Sequence, residues 1–402
     1  MNNKEYNTSR GTETAEQLID AAFLTAVSHR RHLHMYPELS GEEKETAAYV
    51  REVLKKLDIE VRDNIFGYGL LGIIYGKDRG RAIALRADMD ALPVTEDNDL
   101  PFRSKTKGVM HACGHDVHTA VLLGTAQVLS EIRDSLPLSV VLIFQPSEET
   151  VGGARQMIEA GCLLDPEVCA VLGLHIDPSE NCDKVIMVPG TMNAATSEFR
   201  VKVNGRSCHG AHPDQGVDPL IPACNMVIAL QSILTRRIYP ADSCLITVGR
   251  FNSGTKENVI PDYSRFSGTI RVLDMYNLPK IQEELRRLCS GIAEAHAASC
   301  EIEFDNGYPT LVNDSELLEK VARAYRASYG NDSVVICPKP SLGADDFAFF
   351  CHETKALYYD IGAKSPGQKP MSLHSSELTV DERCIKTGIR SEICGIMALM
   401  EE

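Results

Sequence analysis

The sequence lacks several features that would assign it to a membrane-bound or nucleic-acid-binding class. It has no tryptophan, and no apolar run approaches the roughly 20 residues that span a bilayer. Residues 1–16 are polar and of mixed charge, without the apolar stretch of a secretory signal. Positive charge is in deficit, and the formal net charge of −15 argues against nucleic acid or an anionic membrane as a partner.

The chain also lacks a cysteine framework. Its thirteen cysteines are odd in number and are scattered through segments that otherwise have the composition of a protein core. Reduced thiols in the cytosol are the simplest explanation, so we expect a cytoplasmic protein.

With 402 residues the chain exceeds what one hydrophobic core usually organises, and two domains are expected. The apolar runs 70–75, 82–85, 138–144 and 169–174 are predicted strands, and 117–129 and 151–159 are predicted helices. Ser40 with Glu43, and Thr379 with Glu382, are predicted capping boxes at helix starts. Strands that alternate with helices indicate an α/β fold with a mostly parallel, helix-covered sheet.

The rhythm changes near residue 194. A βαββαβ order follows, typical of a ferredoxin-like sandwich. We therefore predict a discontinuous catalytic domain (1–193 and 306–402) with this smaller domain (194–305) inserted into it.

The segment Cys113-Gly114-His115 stands at the start of the first apolar helix. A thiolate and an imidazole are preferred ligands of a divalent metal, and the glycine lets the backbone bend so that both can face one ion. An isolated pair of this kind is more often a core thiol beside a surface imidazole. The metal interpretation gains weight because other candidate ligands follow predicted strands.

Glu148 and Glu149 follow the strongly apolar strand 138–144. Adjacent carboxylates repel each other and are costly to bury unless a cation is close. A metal would resolve this, with one carboxylate ligating and the other accepting a proton from the attacking water. A solvated loop is the alternative.

His175 follows another apolar run, and His374 lies in a loop before the last predicted helix. Either alone is more simply a packed or surface imidazole. Together with Cys113, His115 and a carboxylate they could bind two metals, with zinc favoured by ligand type and manganese or cobalt also compatible.

Asp88 or Asp90, at the end of the strand 82–85, could orient a ligating imidazole. In the smaller domain, His209 and His212 follow a strand, and one could polarise a scissile carbonyl. Asn258 and Arg271 could hold a substrate carboxylate, although an exposed strand arginine would look the same.

These motifs resemble the metal-dependent amidohydrolase and metallopeptidase family that contains aminoacylases, hippurate hydrolases and auxin-conjugate hydrolases. The resemblance runs from about residue 31 to residue 396. The matching segments are Arg31-His32-Leu33-His34, Pro37-Glu38-Leu39-Ser40, Leu85-Arg86-Ala87-Asp88-Met89-Asp90-Ala91-Leu92-Pro93, Met110-His111-Ala112-Cys113-Gly114-His115-Asp116, Phe144-Gln145-Pro146, Glu148-Glu149, Gly173-Leu174-His175, Asn258-Val259-Ile260-Pro261 and Ser372-Leu373-His374-Ser375.

The resemblance implies a homodimeric enzyme that hydrolyses N-acyl-amino acids with two divalent metals per subunit (zinc or manganese, with cobalt or nickel possible). It implies Glu148 as general base and acid, His209 as a lid histidine that serves the partner's site, and the ligands Cys113, His115, Glu149, His175 and His374. Asp88 and Asp116 would support the ligands. Arg86 stands where the wider superfamily has a ligating histidine, a change that the auxin-conjugate branch shares. A dipeptidase or carboxypeptidase on the same site, or a non-catalytic binding protein, are the alternatives.

Overall fold

The computed structural model describes residues 5–8, 11–150 and 152–401. The helices in this part of the chain are α1 (Ala15–Met35), α2 (Lys44–Lys56), α3 (His115–Glu131), α4 (Ala154–Glu159), α5 (Leu220–Arg236), α6 (Asn277–Ala295), α7 (Ser315–Tyr329), α8 (Ala348–Glu353) and α9 (Arg383–Met400).

The strands in the described residues are β1 (Glu5–Thr8), β2 (Gly11–Thr14), β3 (Glu60–Arg62), β4 (Leu70–Ile74), β5 (Asp78–Asp88), β6 (Leu138–Gln145), β7 (Glu167–Asn181), β8 (Val185–Met187), β9 (Gly190–Asn193), β10 (Ala195–Asn204), β11 (Cys208–His209), β12 (Cys244–Ser253), β13 (Val259–Ile260), β14 (Tyr263–Val272), β15 (Ser299–Asn306), β16 (Leu311–Asn313), β17 (Val334–Ile336) and β18 (Lys355–Lys364).

The chain divides into two compact units. The smaller unit is Thr191–Leu311 together with Pro340–Asp345, and the larger unit comprises the remaining described residues. The short segment Pro340–Asp345 has no sequence pattern that sets it apart from its neighbours, so the sequence predicts it as part of the larger domain.

The larger unit is built on an eight-stranded sheet with the order β17-β8-β18-β7-β5-β6-β4-β3. Its central strands β18, β7, β5 and β6 run parallel. They are formed by nearly continuous apolar runs, and β6 is buried along almost all of its length, as expected of a parallel strand covered on both faces. This confirms the predicted α/β class with a mainly parallel sheet.

Helix α3 is buried over most of its length. It packs on β5 and β7 and is flanked by α1 and α9. Because β5, β6 and β7 are parallel, their carboxyl ends lie at one edge of the sheet, and the start of α3 lies at the same edge.

The smaller unit is an antiparallel sheet of order β12-β14-β10-β15 with α5 and α6 packed on it. Alternate residues of β10, among them Phe199, Val201 and Val203, are buried, and the residues between them are not. The element order β10-α5-β12-β14-α6-β15 is the βαββαβ order that the sequence predicts.

Both predicted capping boxes are wrong. Helix α2 begins at Lys44, and its first turn is capped by the Glu38 carboxylate, which accepts the N–H groups of Glu45 and Thr46. The Ser40 hydroxyl donates to Asp90 instead. Helix α9 begins at Arg383, whose N–H donates to Asp381 Oδ1, whereas Glu382 binds Arg30 and Arg31. In each case a tertiary partner outcompetes the local hydrogen bond.

Other element boundaries also differ from the sequence prediction. The strand predicted at 169–174 extends over Glu167–Asn181, because β18 continues to pair with it beyond the end of β5. The helix predicted at 151–159 is α4, Ala154–Glu159, and Val151 itself lies outside the described residues.

In the described part of the chain, every helix is too short or too polar to cross a membrane.

Candidate metal centre

Gly114 lies between the predicted ligands Cys113 and His115 and is the N-cap residue of α3. Its φ of +89° is in the left-handed region, and a Cβ there would lie 2.3 Å from the Ile176 side chain. Only glycine fits both conditions. Cys113 and His115 are thereby held on either side of a tight turn, both buried.

The structure brings the six predicted metal-site residues together at the carboxyl edge of the sheet. They form three overlapping groups, and within each group the ligand atoms lie within 4.8 Å of one another. The groups are Cys113 with His115 and His175, Cys113 with Glu149 and His374, and His115 with Glu148 and Glu149.

The individual distances define two neighbouring clusters that share Cys113. Its sulfur lies 3.3 Å from His175 Nε2. On the other side, Glu149 Oε1 lies 3.2 Å from His374 Nε2 and 4.0 Å from His115 Nε2. A sulfur, three imidazoles and a carboxylate within this small volume are donors suited to borderline-soft divalent metals.

The donor atoms have the properties that a metal site requires. His115 Nε2 is buried and has no hydrogen-bond partner among the described residues. Burial raises the pKa of the Cys113 thiol well above its ordinary value, so a thiolate there needs a cation. Burial, followed by the charge of His118, lowers the pKa of His175, which keeps the imidazole neutral and able to ligate. The residues therefore fit a metal centre.

Two of the imidazoles are oriented through their other ring nitrogen. His115 Nδ1 donates to Asp90 Oδ1 at 3.1 Å, which leaves Nε2 as the ligating atom. His175 Nδ1 donates to the main-chain oxygen of Ile176 at 2.8 Å, so its Nε2 faces Cys113. Burial opposes charge on His115, but Asp88 and a hydrogen bond with Asp90 help to raise its pKa well above its usual value.

Asp88 contacts a histidine that sequence reasoning did not identify. Its Oδ1 lies 2.7 Å from His118 Nδ1 and 3.8 Å from His115 Nδ1. His118 Nε2 in turn accepts the main-chain N–H of Ile176 at 3.0 Å. Asp88 thus holds His118, which fixes the backbone next to His175.

Arg86 lies fully buried between two carboxylates. It donates to Asp88 Oδ2 at 2.5 Å, to Asp346 Oδ1 at 2.8 Å and to Gln145 Oε1 at 2.8 Å. Burial alone would raise the pKa of Asp88, but His115 and Arg86 lower it well below its ordinary value. Arg86 therefore supplies a permanent positive charge beneath the ligands.

The described contacts of Asp116, in the first turn of α3, are with residues of α1. Its Oδ2 accepts from Arg30 Nε at 2.8 Å and lies 2.8 Å from His34 Nδ1. Burial opposes ionisation, but Arg30 and His34 hold the pKa of Asp116 far below its ordinary value. These contacts tie the first turn of α3 to α1.

His374 is held by its backbone more than by its side chain, which is 54% exposed. Its φ is +62°, and its main-chain N–H donates to the oxygen of Ala112 at 2.7 Å. The loop that carries it thus docks directly onto the residue before Cys113.

The remaining predicted site residues belong to the smaller unit. His209 lies on β11 and is exposed, and its ring lies 5.6 Å from that of His212. The main-chain oxygen of Asn258 accepts from the N–H of Gly210 at 2.8 Å, which ties the Asn258 loop to β11. Arg271 lies on β14, and burial lowers its pKa.

Comparison with known proteins identifies the family. The model for peptidase family M20/M25/M40 matches residues 84–393. The chain belongs to this family.

Relatives in the family cover nearly the whole chain. The chain is 39% identical to thermostable carboxypeptidase 1 of Saccharolobus solfataricus over 89% of this chain and 91% of that protein. It is 38% identical to an N-acetyl-L-cysteine deacetylase of Bacillus subtilis over 89% of this chain and 83% of that protein. The crystal structure of the Bacillus subtilis YXEP protein, described as a dinuclear metal-binding peptidase, superposes with a TM-score of 0.83 at 31% identity, covering 95% and 99% of the two chains.

M20 membership makes this chain a hydrolase with a metal-binding site, as the sequence predicts. The structure adds residues that contact the proposed ligands or their neighbours and that the sequence did not assign to the site: Asp90, His118, Arg86 and Asp346. Asp90 was one of two equal candidates with Asp88, and only the pairing of side chains in space separates their roles. Asp346 carried no sequence signal, because it lies outside every motif.

Proposed function

We propose that the chain hydrolyses the amide bond of N-acyl-amino acids, releasing a carboxylate and a free amino acid. The observation that carries this proposal is the divided glutamate pair after β6. Glu149 Oε1 lies 3.2 Å from His374 Nε2 and 4.0 Å from His115 Nε2, whereas Glu148, which also groups with His115, lies beside the carboxylate of Asp346. One carboxylate is thus suited to ligation, and its neighbour to proton transfer.

We assign the ligands of a dinuclear centre to Cys113, His115, Glu149, His175 and His374. When bound, the metals polarise the substrate carbonyl and acidify water. Glu148 accepts the proton of the attacking water and returns it to the leaving nitrogen. Asp88 and Asp90 hold the imidazoles in place, and Asp116 anchors the helix that starts at His115. Zinc or manganese best suits the donor set, and cobalt or nickel is also compatible.

The smaller unit, predicted as the domain 194–305, acts in this proposal as a lid and a dimerisation domain. His209 stabilises the oxyanion, and His212, Asn258 and Arg271 contact the substrate, with Arg271 pairing with its carboxylate.

Two features of the smaller unit support a second copy of this chain as its partner. Strand β12 is an edge of the four-stranded sheet within the described chain, and exposed edges are commonly covered by pairing. Helix α5, which packs near β12, exposes Ile221 and Ile228, the latter to 74%. A homodimer formed along this side would cover both the strand edge and the apolar side chains.

The relatives include a deacetylase of an N-acyl-amino acid and a carboxypeptidase, so peptide hydrolysis is the alternative function. The similarity to an N-acetyl-L-cysteine deacetylase supports N-acyl-amino acids as substrates, and the similarity to a carboxypeptidase supports peptides. The two bonds are hydrolysed by the same chemistry. A non-catalytic binding protein is disfavoured, because all the ligand residues and Glu148 are present.

The test is a substrate screen with purified protein loaded separately with zinc and manganese. Acetyl-, benzoyl- and indoleacetyl-amino acids are compared with dipeptides, and Glu148→Gln serves as the inactive control. Turnover of acyl-amino acids at a kcat/KM at least tenfold above that of dipeptides supports the proposal. Preference for dipeptides supports the peptidase, and equal rates for the wild type and Glu148→Gln would contradict both.

A further inference from the structure

The segment 38–43, between α1 and α2, reaches across to the loops of the metal centre. The main-chain N–H of Ala91 donates to the oxygen of Glu38 at 2.8 Å. The Ser40 hydroxyl donates to Asp90 Oδ2 at 2.6 Å. The segment thus contacts the carboxylate that orients His115, although it contains none of the proposed ligands.

Glu43 is the last residue of this segment and is completely buried. Its Oε1 accepts the main-chain N–H of Ser147 at 2.8 Å and lies 3.4 Å from the Ser147 hydroxyl. Its other oxygen has no hydrogen-bond partner among the described residues. Burying a carboxylate is costly. The main-chain N–H groups of Gly41 and of Glu43 itself also act on it, but the bond to Ser147 joins it to a distant turn of the chain, which indicates a specific role.

Ser147 is the residue immediately before Glu148. Its φ of +61° lies in the left-handed region, which is unfavourable for a non-glycine residue. Ser147 is also buried, and its main-chain oxygen accepts the N–H of Gly152 at 3.0 Å. The turn is therefore a strained conformation held by hydrogen bonds on both of its main-chain groups.

We propose that Glu43 is a positioning residue that holds the left-handed turn at Ser147 and thereby sets the direction of the Glu148 side chain. This role requires a side chain long enough to place an acceptor oxygen at the Ser147 N–H, and it does not require a charge on that side chain. Burial raises the pKa of Glu43, which agrees with an acceptor that need not be ionised. The inference rests on the proposed function, which makes Glu148 the proton-transfer group.

Two substitutions distinguish the effect of the length of the Glu43 side chain from the effect of its charge. Glu43→Gln keeps the length and an acceptor oxygen but removes the charge, and we expect kcat within about threefold of the wild type. Glu43→Asp keeps the charge but withdraws the oxygen by one methylene. Since misplacement of a reacting group by about 1 Å can cost about a hundredfold, we expect kcat to fall tenfold to a hundredfold, with KM and metal content within twofold.

The exposed neighbour Glu42 supplies the matched controls Glu42→Gln and Glu42→Asp, for which all parameters should stay unchanged. Thermal melting of every variant checks folding. A further variant, Glu43→Asp with Ser147→Gly, should regain at least threefold in kcat over Glu43→Asp alone, because glycine adopts positive φ without strain.

A second measurement does not depend on substrate. Amide hydrogen exchange of the peptide containing Ser147 should accelerate at least tenfold in Glu43→Asp and stay near the wild-type rate in Glu43→Gln. If no substrate is turned over by the wild type, the proposed function fails while this measurement still tests Glu43.

The inference is overturned if Glu43→Gln loses as much kcat as Glu43→Asp, since charge would then matter. It is also overturned if Glu43→Asp keeps wild-type kcat and exchange, or if its defect is a loss of metal or of folding that the Ser147→Gly variant does not relieve.

Discussion

The side chain of Asp90 accepts a hydrogen bond from the main-chain N–H of Glu149 at 3.0 Å. The same carboxylate accepts from His115 Nδ1 at 3.1 Å through its other oxygen. Asp90 therefore joins two proposed ligands that are far apart in the sequence. Burial alone would raise the pKa of Asp90, but the hydrogen bond with His115 keeps it below its usual value.

Replacing Asp90 should loosen both ligands at once. Asp90→Asn keeps the size of the side chain but weakens its hydrogen bonds to His115 and Glu149. Changes of this kind typically cost about 10- to 100-fold in metal affinity, and we expect that loss in competition titrations with a chelator. Asp58→Asn, at a fully exposed side chain, is the control. Unchanged affinity in Asp90→Asn would show that the ligands hold their geometry without it.

The thiol of Cys113 should be required for full metal loading. Cys113→Ser replaces a thiolate donor with a neutral hydroxyl, a far poorer ligand. We expect less than half of the wild-type metal content by elemental analysis after dialysis. Cys169→Ser, at an exposed cysteine, should retain all of it. Equal stoichiometry and affinity in the two variants would remove Cys113 from the ligand set.

The two adjacent glutamates should separate by function. Glu148→Gln should retain metal and lose about 10²- to 10⁴-fold in kcat, because an amide does not accept the proton. Glu149→Gln should lose metal as well as activity, since Glu149 is the carboxylate that faces His374 and His115. Steady-state kinetics together with metal analysis distinguish the two. Near-normal kcat in Glu148→Gln contradicts the assignment.

Glu392 should make the stability of the fold depend on pH. It is fully buried on α9, and burial raises its pKa from 4.5 to about 8. The folded state therefore keeps the proton that the unfolded state releases. Stability from this group is complete below about pH 4.5 and declines, by up to about 1.4 kcal/mol per pH unit, until about pH 8.

Glu392→Gln removes that titration. The Tm of this variant relative to the wild type should increase steadily from pH 5 to pH 8 and then level off. Glu319→Gln, at an exposed position on α7, should show no such trend. If the difference in Tm between Glu392→Gln and the wild type stays constant from pH 5 to pH 8, the prediction is wrong.

The proposed lid histidine should act in the neighbouring subunit. His209→Ala should reduce kcat strongly while leaving metal content intact, since it removes oxyanion stabilisation alone. After subunit exchange with Glu148→Gln, half of the dimers are mixed and each has one complete site. Activity should then return to about a quarter of the wild-type value. If no activity is recovered after the exchange, the active sites are not shared between subunits. Full activity of a protein that sediments as a monomer would contradict shared sites as well.

Part of the metal centre follows from the sequence by a general rule. The carboxyl ends of parallel strands meet at one edge of a sheet. Glu148 and Glu149 follow β6, and His175 follows the apolar run 169–174 of β7. That rule predicts their proximity to one another, and the apolar helix after Gly114 brings Cys113 and His115 to the same edge. His374 is a candidate by residue type and position, but no periodicity distinguishes its loop, so only the family resemblance assigns it to the ligand set.

The supporting contacts were beyond sequence reasoning for a physical reason. Ser40 and Glu43 fit a capping box, but their side chains bind Asp90 and Ser147, residues 50 and 104 positions away. A local pattern cannot reveal that a distant partner competes for the same hydrogen bond. The same holds for Arg86, whose partner Asp346 lies 260 residues further along.

The position of β18 in the sheet has a consequence for synthesis of the protein. This strand (Lys355–Lys364) lies between β8 and β7, so residues translated early border one translated near the end. During synthesis, β7 has an open side until residue 364 has left the ribosome, and an open strand edge invites association with other chains. His374 emerges later still. A nascent chain therefore exposes Cys113 and its neighbouring ligands before the set is complete, and a chaperone that covers β7 would protect both the sheet and the thiol.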